Sequence, residues 1–372
     1  MPECKRCLLP EGKFGVALGG GDTCNYCACY DRAAPLYADP AKLRPRLLER
    51  LEKVRGKYEY DAMVGISGGK DSTYVLYRLV REYGARVLAV TYENGFLTDL
   101  GKRNVKCAVE ALGVDHFFHY PDWEVHRKFY RATLERLGDP CLACAFAGFF
   151  LALKLCHEKR IPFFITGRSP YQMFRNLFEG SQDLFIPMMK LNAEEHSFEK
   201  VARVYGVLND KITAWVKSLM TDPADVAGII REFYPRSSAL SADFAPEIVN
   251  FFLFEPYDEE RIKREIEKNL KYRRSEDDLP LSHLDCQILA AAEHLYREVH
   301  GVSMLAQEVA VMLRRGELSE AEARETMARK PREDDLVRSV GALCGRLEMS
   351  REEFAAAVGR LKNRRPEKFD SR

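Results

Sequence analysis

Apolar and polar positions change rhythm along this chain, and the changes divide it. Between Tyr60 and Gly167, short apolar runs alternate with amphipathic stretches of helical period. The runs at 62–67, 86–92, 116–120 and 163–167 are too short for helices and read as strands of a buried sheet. Helices are expected at 72–83, 98–112, 124–137 and 144–159. Such alternation specifies a parallel sheet with helices on both faces, an α/β fold. Ligands of these sheets bind beyond the carboxyl ends of the strands.

After Tyr171 the alternation stops. Residues 190–220 and 258–272 read as helices, with 251–254 a short strand. Charged helices follow at 284–299, 305–315, 319–328 and 351–362, and Ser319 is an N-cap candidate. Residues 40–57 form a further charged helix. The chain therefore divides into a cysteine-rich module at 1–35, a linker helix at 36–57, an α/β domain at 58–185 and a mostly helical region at 186–372. That last region is expected to serve substrate binding or self-association.

The turn after the first strand reads Ser67-Gly68-Gly69-Lys70-Asp71-Ser72. A glycine-rich turn opening a helix presents successive backbone N–H groups and a partial positive charge, so a phosphate fits there. Ser67 and Ser72 add hydroxyls, and Lys70 adds a point charge. Asp71 can hold a magnesium ion bridging phosphates, cap the helix, or do both. The Walker A spacing is absent, because one residue separates Gly69 from Asp71. Tyr92 and Asn94 follow the second strand, where they read as nucleotide or substrate contacts or as part of a plain turn. Gly167 and Arg168 follow the fourth. Arg168 is either a clamp for the charge that develops on the α-phosphate or a surface arginine.

Cysteines carry the second chemical signal. Cys4 and Cys7 form one CxxC, Cys24 and Cys27 another, sixteen residues further on. Two such knuckles complete a tetrahedral sulfur site, and a structural zinc is the favoured ligand. Cys141 and Cys144 form a third pair at a helix start, and Cys286 stands nearby in Leu281-Ser-His-Leu-Asp-Cys. Three thiolates could hold a second zinc or a 4Fe-4S cluster with one open iron; the plain alternative is a reduced pair that packs its helix. Cys107, Cys156 and Cys344 lie on helical patterns and read as core thiols. The eight histidines show no ligand spacing, and His283 draws interest through its closeness to Cys286.

Whole-chain composition narrows the setting. With 57 basic and 56 acidic residues, the net charge is +1, which gives nucleic acid no long-range attraction. The longest apolar stretches, such as 145–153, look too short to span a bilayer. The N-terminal residues are unlike a signal peptide. A cytoplasmic, reducing location is expected, where eleven cysteines serve as ligands, reactive thiols or packing rather than disulfides.

The hexapeptide 67–72 resembles the pyrophosphate loop of the N-type ATP pyrophosphatases, the PP-loop superfamily. Several other segments resemble the N-acetyl sugar amidotransferases within it: Cys4-Lys-Arg-Cys7-Leu-Leu-Pro10, Cys24-Asn-Tyr-Cys27, Leu88-Ala-Val-Thr-Tyr-Glu-Asn-Gly95, Asp122-Trp-Glu124 and Arg314-Arg-Gly-Glu-Leu-Ser-Glu-Ala-Glu-Ala323. The resemblance implies an adenine nucleotide alpha hydrolase-like fold that uses ATP and Mg2+. It further implies adenylation of a sugar-type substrate, release of pyrophosphate, and displacement of AMP by ammonia from a separate glutaminase subunit. Lys70, Asp71, Arg168, Cys141 and Cys144 would be catalytic. Pro140-Cys-Leu-Ala-Cys144 with Phe164-Ile-Thr-Gly167 is instead similar to the tRNA thiolases, which implies sulfur transfer to tRNA or a small molecule through a cysteine-bound cluster. No membrane partner is expected, and a homodimer is compatible with either reading.

Overall fold

The computed structural model describes residues 2–19, 22–36, 39–174, 198–233, 244–274 and 285–363. Its centre is a five-stranded, all-parallel sheet of β1 (Ala62–Gly65), β2 (Val87–Tyr92), β3 (Asp115–His119), β4 (Phe163–Thr166) and β5 (Glu247–Asn250), in the order β3-β2-β1-β4-β5. Side chains alternate across it with period two. Ala62, Val64, Val87, Ala89, Phe163, Ile165 and Val249 enter one core, while Met63, Leu88, Val90, Phe164 and Ile248 enter the other. Burial on both faces is why these strands read as continuous apolar runs rather than alternating ones.

Helices α1 (Asn25–Ala33) and α2 (Pro40–Val54) precede the sheet. The crossovers are α3 (Lys70–Arg81), α4 (Asp99–Leu112), α5 (Trp123–Leu137) and α6 (Cys141–Glu158), each within a few residues of its expected place. Then come α7 (Phe198–Leu219) and α8 (Pro223–Phe233), followed after β5 by α9 (Glu259–Leu270). The C-terminal helices are α10 (Leu289–His300), α11 (Ala306–Arg315), α12 (Glu320–Ala328), α13 (Glu333–Leu347) and α14 (Arg351–Asn363). Ser319 caps α12 in a reciprocal capping box with Glu322.

Two sequence expectations are corrected. Residues 251–254 do not form a strand: Phe251–Leu253 is a 3-10 turn, and the strand is Glu247–Asn250 just before it. That strand extends the sheet, which therefore draws on residues well past 185. The apolar stretch within 145–153 belongs to α6, which is long and apolar enough by composition to cross a membrane. Here α6 packs instead on α5, α8, β1 and β4, burying Ala143, Ala147, Phe150 and Leu151 as a core helix does. Helices α8 and α13 were not expected. The start of the predicted 190–220 helix and His283 lie outside the described residues.

Candidate active site and metal centre

Strand order reverses at β1: β2 and β3 lie on one side, β4 and β5 on the other. Such a switch point opens a crevice at the strand ends, and the loop after β1 lies in it. Gly68 has φ of +84°, and a Cβ there would stand 2.0 Å from the Gly101 carbonyl oxygen, so no other residue fits. The Ser67 N–H donates to Ser72 Oγ at 3.3 Å, folding the loop over the start of α3. Gly69 is the N-cap of α3 and supplies no side-chain cap, which leaves the first-turn N–H groups to the cavity. From across the switch point, the end of β4 closes in. A Cβ on Gly167 would lie 3.0 Å from the Asp71 carbonyl carbon and the Ser72 nitrogen.

These loops border a cavity of ≈ 490 Å³. Ser67, Gly69, Lys70, Asp71, Ser72, Tyr92, Asn94, Gly167 and Arg168 all line it, as do Cys141, Cys144 and Cys286. Gly68 supports the loop from behind. Residues separated by more than two hundred positions thus share one wall. The segment carrying Cys286 is pinned along the rim: Thr98 N–H donates to the Asp285 carbonyl at 3.1 Å, and Gln287 N–H to that of Phe96 at 2.8 Å.

Charge in the cavity is paired. Lys70 Nζ lies 3.3 Å from Asp71 Oδ2 and 3.8 Å from Glu259 Oε2. Burial pulls the Lys70 ammonium down, but those two carboxylates outweigh it and hold it above its ordinary value. Lys263 lines the same cavity and pairs with Glu259 at 2.8 Å. Asn94 donates from Nδ2 to Cys144 Sγ at 3.2 Å, and its Oδ1 accepts from Phe96 N–H at 2.8 Å. Burial pushes the Cys144 thiol up, with Asn94 and Tyr130 working against it. Cys286 is pushed up to about 12, by burial first. Both are neutral thiols until a metal or a reaction removes their protons. The Tyr92 hydroxyl and His126 Nε2 share a hydrogen bond. His126 is fully buried, and that burial, with His119 nearby, lowers it to about 3.

The N-terminal cysteines are arranged differently. Cys24 is the N-cap of α1, which puts Cys27 in its first turn beside Cys4 and Cys7. All four thiols are buried, and their Sγ atoms lie within 4.8 Å of one another. The Cys4–Cys27 and Cys7–Cys24 separations are 3.7 and 3.6 Å. A tetrahedral zinc with bonds of about 2.3 Å spaces its sulfurs by about 3.75 Å, so the donor set fits one such ion. A 4Fe-4S cube would hold its thiolates much further apart. Arg314, in the last turn of α11, donates to Cys27 Sγ at 3.2 Å and to Cys7 Sγ at 3.1 Å. A buried guanidinium here would offset the surplus negative charge of four thiolates holding a divalent ion. Cys29, two residues past Cys27, lies outside the group. Among the described residues, this is the one cluster of three or more ligand-type side chains so tightly gathered.

Sequence reasoning missed Lys263, Tyr272, Arg274 and Asp285 on the cavity wall, and Arg314 at the metal centre. No local pattern marks the first three. Asp285 could have been found from its neighbour Cys286.

No protein-family model matches the chain, and no curated protein does. Among solved structures it is similar to the U34-tRNA thiolase NcsA from Methanococcus maripaludis, solved with its 4Fe-4S cluster. That match has 13% identity, 90% of each chain covered and a TM-score of 0.32. It is also similar to the NH3-dependent NAD synthetase from Campylobacter jejuni, solved with a nitrate ion. There the identity is 12%, the match covers 52% of this chain and 93% of the other, and the TM-score is 0.29. Superpositions this loose decide nothing about chemistry.

Proposed function

We propose that this protein is a PP-loop ATP pyrophosphatase that adenylates a substrate oxygen and then lets a nucleophile displace AMP. One observation carries the reading: the glycine loop at 67–72, the uncapped start of α3 and the Gly167-Arg168 turn meet in a single cavity. Loop and helix N–H groups suit the β- and γ-phosphates. The Asp71 carboxylate is a hard oxygen donor at the cavity wall, of the kind magnesium takes, and the metal would neutralise the departing charge. The substrate oxygen attacks the α-phosphorus, the bond to the bridging oxygen breaks, and pyrophosphate leaves. Arg168 lines the same cavity, and in this reading it stabilises charge on the α-phosphate oxygens. In the second step the nucleophile attacks the adenylated carbon, and AMP departs with the original oxygen.

Ammonia is the nucleophile we favour, on the resemblance spread along the chain from Cys4 to Ala323. The acceptor is then an acetamido sugar, and a glutaminase partner supplies ammonia. Sulfur transfer is the second reading, favoured by a specific observation: Cys141, Cys144 and Cys286 converge on the same cavity. Unlike the four N-terminal thiols, these three are not gathered within 4.8 Å of one another.

Substrate-dependent pyrophosphate release from ATP tests the adenylation step, and its absence across acetamido sugars and tRNA would reject it. Anaerobic purification then separates the nucleophiles. A colourless protein with zinc as its sole metal, still active as Cys141→Ser, leaves nitrogen transfer standing. A brown protein inactivated by that change supports sulfur transfer.

A further inference from the structure

Helix α9 brings a second ammonium to the phosphate loop, and we propose that Lys263 is a phosphate-binding residue for the triphosphate tail, kept ready by Glu259. The proposal rests on the ATP reading above and adds to it a residue from outside the loop. Lys263 is 4% exposed, yet it lines the cavity together with Lys70 and Asp71. A lysine is rarely buried so far without a charge to meet.

Its present partner is shared. Glu259 receives Lys263 at 2.8 Å and Lys70 at 3.8 Å, so one carboxylate serves two ammoniums. Glu260 reaches Lys263 at 3.4 Å, but its side chain is 58% exposed and Arg274 also claims it at 3.1 Å. Around the loop, Lys70 and Lys263 thus face the carboxylates of Asp71 and Glu259, with Asp285 close to Gly69. A magnesium-bound triphosphate brings two further negative charges into this cavity. The two ammoniums are the groups that can turn from Glu259 to meet them. Glu259 thus keeps both lysines compensated while no nucleotide is present, and competes weakly with the phosphates when one arrives.

The alternative role is structural, with Lys263 merely fastening the first turns of α9. Calorimetric titration of the full-length protein with Mg·ATP and, separately, AMP distinguishes the two, because AMP lacks the β- and γ-phosphates. Lys263→Met should weaken Mg·ATP binding at least tenfold and leave AMP within twofold, while Lys263→Arg keeps most of the ATP affinity. Glu259→Gln should bind Mg·ATP more tightly than wild type. The double variant E259Q/K263M removes the carboxylate that the single change strands, and it should still bind ATP at least tenfold more weakly than E259Q. Equal ATP affinity in E259Q and E259Q/K263M would overturn the proposal, as would equal losses for ATP and AMP. A wild-type protein that binds no ATP would reject the adenylation reading first and this one with it.

Discussion

The two groups of cysteines in this chain share a motif and differ in almost everything else. At the N-terminus, four thiols are sealed from solvent, packed at single-ion spacing and met by Arg314. At the cavity, three thiols stand further apart on a wall that also carries the glycine loop, and Asn94 approaches one of them. A closed sulfur site contributes folding energy, whereas one facing a cavity keeps room for a reactant. CxxC spacing alone cannot tell them apart. The difference lies in what surrounds each pair.

The largest effect that would sharpen this contrast is loss of the closed site. Cys24→Ser, or a strong chelator, should remove bound zinc and cost much of the ~10 kcal/mol that a structural zinc contributes. A thermal melt with metal analysis checks it, and an unchanged melt after zinc loss would break the comparison. Next comes Arg314→Met, which strips two donors from the thiolates. It should cost about 3 kcal/mol while zinc stays at one per chain, as read by denaturant unfolding with metal content.

Behind Tyr92 on the cavity wall, buried His126 predicts acid sensitivity. Its folded value of about 3 lies below the ordinary 6.5, so the unfolded chain binds the proton first. The stability that neutral His126 permits is whole above pH 6.5 and declines as pH falls toward 3, by about 2 kcal/mol at pH 5. A His126→Gln variant should lose that part of the slope between pH 7 and 5. The smallest effect is expected at the open thiols. Cys141→Ser should change stability by less than ~1 kcal/mol and leave zinc content untouched. A melt shifted as far as that of Cys24→Ser would mean that the cavity thiols are structural after all.

The four crossover strands and their helices were legible because each declares itself locally, through apolar runs of strand length and a period of 3.6 between them. Glu247–Asn250 was not, because polar residues flank its two apolar ones and the apolar run Phe251–Phe254 beside it carries the stronger strand signal; its place is decided by pairing with β4. The phosphate loop was legible for the same local reason: glycines, serines and a helix start lie within six residues. Lys263, Asp285 and Arg314 were not. Asp285 and Arg314 meet their partners across long stretches of chain, whereas Lys263 pairs within its own helix and only its place beside the glycine loop is long-range. A helix pattern records which face is apolar, not which distant loop the polar face will touch.

By itself the sequence determined the covered parallel sheet, the position of the glycine-rich turn and the grouping of four N-terminal cysteines, all of which follow from spacing along the backbone. Tertiary structure alone decided that the third CxxC and Cys286 share a cavity with that turn, and that α9 supplies its counter-charges. The reason is physical: which residues share a low-dielectric space depends on how the layers pack, and packing sums contacts over the whole chain.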